Sequence, residues 1–211
     1  MFNRAAPPLG RSPAPHRRKR RNRQVLGCML RTIKGGDGQM RRVRYQVACS
    51  LDGYIAGPDD DFGWITPEPS FDFDDLHAQF DTLLMGRRTY EIVRAAGEGF
   101  RGKEVLVASR TLQPERHPEI EVVSDGLEER IRELRSRTGA DIWLYGGGEL
   151  FSRLLEWDLV DTVEPAILPI LLGGGVPFLP SPAVRRRLTL TRHRAYPGGM
   201  VLLEYEVRKD R

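Results

Sequence analysis

Ile142-Trp143-Leu144-Tyr145-Gly146-Gly147-Gly148-Glu149-Leu150-Phe151 is an apolar run that stops in three glycines and passes into a helical pattern. Ile142 to Tyr145 reads as a buried strand and Glu149 to Trp157 as a helix. Glycines at such a junction allow unusual φ/ψ and close approach of a ligand to the backbone. The unpaired N–H groups of the following helix attract anions. Phosphate is the natural ligand of this turn, although the triplet taken alone reads more readily as a plain tight turn. Phe151 stands where G-x-G-x-x-G spacing needs its third glycine, so the run is not a Rossmann fingerprint.

The same theme recurs on either side. Asp81 to Gly86 is an apolar run of strand length, followed by Arg87-Arg88-Thr89-Tyr90-Glu91 at the start of a helix. Glu104 to Ala108 is another buried strand, ending in Ser109-Arg110-Thr111. Hydroxyls and guanidinium groups beside Gly86 offer neutral and charge-assisted hydrogen bonds to phosphate. A charged helix start is the competing reading. Further strands are read at Val43 to Cys49, Ile120 to Val123 and Thr162 to Leu168, with helices at Phe73 to Gln79 and Leu127 to Arg137. Leu188 to Ala195 and Met200 to Val207 form a hairpin around Pro197-Gly198-Gly199. The stretch after Cys49, with Gly53, Gly57 and Pro58, and the stretch around Gly173-Gly174-Gly175 read as loops. The alternation predicts an α/β fold, a mainly parallel sheet covered on both faces with an antiparallel C-terminal edge. Three polar strand ends on one edge of a parallel sheet are where such sheets bind ligands, and a phosphate-rich cofactor explains all three.

The 211 residues suffice for one well-buried domain. No stretch approaches the roughly 20 apolar residues that span a bilayer, so no membrane role is expected. The net charge of +4 is unevenly spread. Residues 1–42 hold 12 of the 33 Lys and Arg against one acid, Asp37, leaving 21 bases and 28 acids for the rest. Residues 1–42 are expected to be a disordered basic, Pro/Arg-rich tail, one form of which is translation from Met40, with 43–211 as the folded domain. A targeting segment or a nucleic-acid-binding arm are the other readings of the tail, and the acidic body offers nucleic acid no second basic surface. Cys28 and Cys49 lack metal-ligand spacing, no metal site is expected, and a reducing, cytoplasmic setting fits.

The ordered set Ser50-Leu51-Asp52-Gly53-Tyr54-Ile55-Ala56, Trp64-Ile65, Met85 to Glu91, Ser109-Arg110 and Gly146 to Leu150 resembles the dihydrofolate-reductase-like superfamily over about residues 43–207. Ser-Leu-Asp-Gly, Trp-Ile and Ile167 to Gly175 resemble most the C-terminal reductase domain of the bifunctional riboflavin-biosynthesis deaminase-reductase. The resemblance implies a three-layer fold with a mixed sheet of about eight strands flanked by helices, and NADPH laid across the strand ends. It implies that backbone carbonyls of Ala48 and Ile55 meet the nicotinamide carboxamide. Gly86, Arg87, Thr89 and Ser109 would contact phosphates, with Arg87 and Ser109, aided by Arg88 or Arg110, at the 2′-phosphate. Gly146, Gly147, Gly148, Glu149 and Leu150 would hold the pyrophosphate, two of the glycines joined by a cis peptide.

True dihydrofolate reductases place a carboxylate on the first helix against the pterin. Asp72, Asp74 and Asp75 lie in that region, and Asp75 is the candidate catalytic acid because it precedes Leu76; acids favouring a helix N-terminus are the alternative. Asp52 is a second catalytic candidate, with a structural turn role equally open. Trp64 and Phe178 are candidates for the walls of the substrate site, with core packing the alternative. His77 reads as an ordinary helix residue. The expected activity is NADPH-dependent hydride transfer to a pyrimidine- or pteridine-like heterocycle, similar to 5-amino-6-(5-phosphoribosylamino)uracil reductase. The His-x-Glu and Pro-Cys-x-x-Cys signature of zinc deaminases does not occur in the chain. Dihydrofolate reduction proper and a non-catalytic nucleotide-binding role are the alternatives. The resemblance also implies a homodimer.

Overall fold

The computed structural model describes residues 40–97 and 99–209. Its elements in chain order are β1 (Val43–Ser50), β2 (Tyr54–Ala56), α1 (Phe73–Ala78), β3 (Phe80–Gly86), α2 (Arg87–Ala95), β4 (Glu104–Ala108), β5 (Glu121–Val123), α3 (Leu127–Ser136), β6 (Asp141–Gly146), α4 (Gly148–Glu156), β7 (Thr162–Leu168), β8 (Val176–Pro177), β9 (Leu188–Ala195) and β10 (Val201–Val207).

Eight strands form one sheet in the order β5-β4-β3-β6-β1-β7-β10-β9. All neighbours from β5 to β7 pair in parallel; β10 runs against both β7 and β9, which makes the antiparallel edge. The expected α/β sheet is therefore present. β1 shows why it divides the molecule into layers. Its residues alternate, Val43 and Tyr45 joining Leu144, Ile131, Phe151 and Leu154 in the core beneath α3 and α4. Across the sheet Leu76, Phe80, Leu83, Met85, Tyr90, Val107 and Trp143 pack under α1 and α2. Each such side chain contributes about 1.5–3 kcal/mol on burial, so the two cores fix the helices to opposite faces.

Two readings of the sequence are corrected. The stretches read as loops around Gly53 and Gly175 include a second sheet, in which β2 pairs antiparallel with β8. These strands are three and two residues long, below the length at which alternation is visible. Arg41, counted in the tail, is part of the folded unit. Its N–H donates to the Arg135 carbonyl (3.0 Å), and its buried guanidinium bonds the Ala140 carbonyl, Asp81 and Thr82. The remaining expectations for the tail concern residues outside those described. No described helix is long and apolar enough to cross a membrane.

Candidate functional site

The strands β1 and β6 lie side by side in the middle of the sheet but part before their ends. Their register runs from Val43↔Ile142 to Tyr45↔Leu144 and stops, while β1 stays paired to β7 as far as Ser50↔Leu168 and β6 to β3 as far as Met85↔Gly146. The Trp143 indole N–H donates to the Gln46 carbonyl (2.9 Å) where the ladder gives out. Val43 accepts on the β7 side and Arg42 on the β6 side, so strand alternation turns the N–H and C=O of Ala48 toward the space β6 has left. A cleft of about 1970 Å³ opens there at the carboxyl end of the sheet. It is larger than the 300–1,000 Å³ typical of one small-molecule pocket, leaving room for two molecules.

Helices α1 to α4 all have residues near their starts in the lining of this cleft; α3 begins at Gly126 without a side-chain cap but holds Glu128 and Glu129 in its first turn, and the other three differ in their starts. Asp72 caps α1 by accepting from the Asp75 N–H (2.8 Å). By contrast α2 starts at Gly86 and α4 at Gly147, neither with a side-chain cap, and the first turn of α2 holds no acid. Their leading N–H groups are thus left to water or to an anion. Thr89 joins the two starts. A side chain at Gly146 or Gly147 would reach to 3.5 or 3.6 Å from its hydroxyl, filling the concavity between the helices. The Gly146–Gly147 peptide is cis and Gly146 has φ 142°, a conformation glycine alone adopts readily. Gly148 is glycine for another reason: a Cβ there would lie 2.7 Å from the Pro177 carbonyl. At Gly86 it would meet nothing within 4 Å, because the cleft is open there.

The predicted cofactor residues converge on this cleft. Ala48, Ile55, Gly86, Arg87, Arg88, Thr89, Ser109, Arg110 and Gly146 to Leu150 all line it. Arg87 pairs with Glu91 (3.0 Å) and Arg88 with Asp60 (2.6 Å), both arginines half-exposed or more. Such pairs are worth about 0–1 kcal/mol, so a phosphate can compete for either guanidinium. The Ser109 hydroxyl accepts from the N–H groups of Thr111 and Leu112, which shapes the turn after β4 and presents Arg110 outward. Asp125, Glu128 and Glu129 line the neighbouring β5–α3 end with the opposite charge.

The proposed catalytic and substrate residues are placed otherwise. Asp52 accepts from the Ser50 hydroxyl (2.6 Å), Gly173 N–H (2.7 Å) and Leu172 N–H (3.1 Å), and is outside the cleft lining. These bonds, the Ser50 hydroxyl first, hold its carboxyl down to about 2, so it clamps the β1–β2 turn to the 172–173 loop. Asp75 accepts from Gln79 and Asp74 pairs with Arg101 (2.7 Å); neither Asp72, Asp74 nor Asp75 lines the cleft. Trp64 is buried with its indole N–H on the Asp61 carbonyl. Phe178 packs on Tyr45 and Phe151 at 5.0 and 5.4 Å between ring centres, so its ring belongs to the core.

Other residues line the cleft that motif reading passed over. Glu68 is buried, accepts from Ser70 N–H and hydroxyl and from Gly198 N–H (2.8 Å), and ties the loop before α1 to the β9–β10 turn. These bonds, Ser70 first, lower its pKa. Nothing in its Pro67-Glu68-Pro69 setting signals this. Gln46 had a signal: a polar side chain in a strand expected to be covered on both faces. No described cluster of His, Cys, Asp and Glu is arranged to hold a metal.

A parallel sheet whose central strands part over glycine-started helices is an α/β fold of the switch-point class. The chain belongs to the RibD C-terminal domain family, whose model matches residues 41–202. It is 29% identical over 180 residues to the uncharacterized protein YyaP of Bacillus subtilis, covering 79% of this chain and 95% of that one. Among solved structures it is similar to a putative riboflavin biosynthesis protein from Shewanella sp. PV-4 (TM-score 0.70, 25% identity, 80% of this chain and 99% of that one). It also superposes on a diaminohydroxyphosphoribosylaminopyrimidine deaminase/5-amino-6-(5-phosphoribosylamino)uracil reductase from Thermotoga maritima (TM-score 0.63, 21%, 80% and 57%). A dihydrofolate reductase from Enterococcus faecalis complexed with NADP(H) gives 0.58, 16%, 80% and 97%. The last two establish the dihydrofolate-reductase-like fold.

Proposed function

We propose that this chain is an NADPH-dependent reductase that transfers a hydride to a pyrimidine- or pteridine-like heterocycle. The observation that carries the reading is the meeting of two uncapped, glycine-started helices, α2 and α4, beside a gap between β1 and β6. A cradle that a Cβ would fill, with Arg87, Arg88 and Arg110 around it, fits a diphosphate bearing a further phosphate.

When bound, the nicotinamide supplies the hydride, and the protein's share is placement and exclusion of water. Ala48 offers backbone N–H and C=O to a carboxamide in the gap, and buried Ile55 closes its side. Phe71, Leu76, Trp143 and Met200 wall the remaining space with apolar surface. Dihydrofolate reduction proper has less support, since the α1 carboxylates are occupied in capping and pairing.

Added NADPH is expected to quench tryptophan fluorescence and raise the melting temperature more than NADH does. Consumption of NADPH is then screened against aminopyrimidines, dihydropterins and dihydrofolate with and without methotrexate. No response to either cofactor at millimolar concentration ends this reading; tight binding without turnover on any substrate favours a nucleotide-binding role.

A further inference from the structure

One polar side chain of the cleft, that of Gln46, is given no task by the protein around it. Gln46 is 7% exposed and lines the cleft, yet its side-chain carboxamide makes no hydrogen bond among the described residues. Its charged neighbours on that face of the sheet are already engaged. Arg44, two residues back, and Glu164, in register across from Gln46 on β7, are bonded to each other through two 2.7 Å contacts. Glu164 also accepts from Thr162 (2.6 Å). Ala48, two residues on, has no side-chain polar group, and the Trp143 indole is spent on the Gln46 backbone.

The carboxamide atoms are not among the buried unpaired polar atoms of the described residues, so they stay open to the cleft, and a ligand that displaces the water there without replacing its hydrogen bonds loses affinity. Open to the cleft, the carboxamide presents a donor beside an acceptor. The matching partner is a planar edge with an acceptor beside a donor: the N–H/C=O of a lactam or the N/NH₂ of an amidine.

Resting on the reductase reading, we infer that Gln46 is the specificity-determining residue of the substrate site, pairing with a lactam or amidine edge of the heterocycle. Its place two residues before Ala48 sets that edge on the same strand that holds the nicotinamide. The pair therefore fixes which ring atom faces the cofactor.

The test uses the full chain with NADPH, uracil, 1,3-dimethyluracil and 2,4-diaminopyrimidine, titrated by calorimetry. The wild-type complex with NADPH is expected to bind uracil and to lose roughly 10- to 100-fold in affinity for the dimethyl compound, whose N–H groups are blocked. Gln46→Met should lower uracil affinity by a similar factor, leave NADPH affinity unchanged, and keep the melting temperature of the free protein, because the carboxamide is bonded to no described protein group. Gln46→Glu should shift preference from uracil toward 2,4-diaminopyrimidine, whose protonated edge offers two donors. A structural role for Gln46 predicts instead a lower melting temperature for Gln46→Met and no change of preference in Gln46→Glu, and either result overturns the inference. NADPH binding with no difference between uracil and its dimethyl derivative also overturns it while leaving the cofactor reading standing. Absence of NADPH binding overturns that reading itself.

Discussion

The two halves of the cleft are built on different principles. The half around Gly86, Thr89 and Gly146 to Gly148 is made of backbone: two helix starts, open glycines and exposed arginines in weak pairs. The half around Gln46, Glu68, Trp143 and Met200 is made of buried side chains from four distant segments. Backbone N–H groups recognise charge and tolerate exchange of the side chains around them. Buried side chains recognise an edge, and each depends on the foundation beneath it. The halves should therefore fail in different ways when altered.

The largest effect is expected beneath the side-chain half. Arg44 bonds Glu164 twice, reaches Gln79 (2.8 Å) and lies over the Phe80 ring at 4.7 Å. Burial works against its charge, yet Glu164 and Asp141 more than offset it and raise its pKa. Arg44→Met leaves Glu164 buried without its cation and should cost about 3–5 kcal/mol in urea unfolding. The double variant Arg44→Met/Glu164→Leu should recover most of that. A single variant no less stable than the double one would show that this half stands on packing and not on the pair.

Gly86→Val tests the backbone half. Gly86 has φ −79° and ψ 164°, which valine accepts, and its Cβ would enter open space. The fold should persist, with unchanged circular dichroism and melting temperature, while NADPH affinity drops by about 100-fold or more, roughly 2.7 kcal/mol. Undiminished NADPH affinity in a folded Gly86→Val protein would remove the phosphates from this half.

The same contrast explains what could be read in the chain. Gly86-Arg87-Arg88-Thr89 and Gly146-Gly147-Gly148 are contiguous, so local sequence carries both the strand-to-helix turn and its polar character. The strands of the large sheet were legible because Leu83 to Met85, Val105 to Val107 and Ile142 to Leu144 are buried on both faces. Glu68 acquires its place through Gly198, 130 residues away in sequence, and β2 acquires its partner β8 across a comparable distance. Pairings of that kind leave no local pattern. Trp64, Phe178 and Asp52 show the opposite limit: aromatic and acidic types suited to a site, used instead for core packing and a loop clamp.

A smaller effect should follow from the arginines. Because Arg87 sits in an exposed pair and Arg110 is exposed, Arg87→Ala/Arg110→Ala is expected to weaken NADPH by about tenfold while NADH changes little. The loss should shrink as salt is raised, since exposed charges are screened. Equal losses for both cofactors would move these arginines from the extra phosphate to the shared diphosphate. The acids Asp125, Glu128 and Glu129 nearby make the NADPH-to-NADH ratio the sharper readout.

The smallest effect belongs to Asp52, which stands outside both halves. Its folded pKa, near 2, lies below the unfolded value of about 3.9. The clamp therefore contributes stability above pH about 4 and loses it as pH falls through about 2. Asp52→Asn, which keeps one acceptor oxygen but no charge, should lower the melting temperature slightly at pH 7. The gap from wild type should close over that acidic window. Turnover and cofactor affinity should be near normal, because Leu172 and Gly173, not ligand, receive this carboxylate. A loss of kcat with an unshifted melting temperature would instead make Asp52 a participant in the chemistry. The substrate half would then extend to the β1–β2 turn, and the division between backbone and side-chain recognition would need a third element.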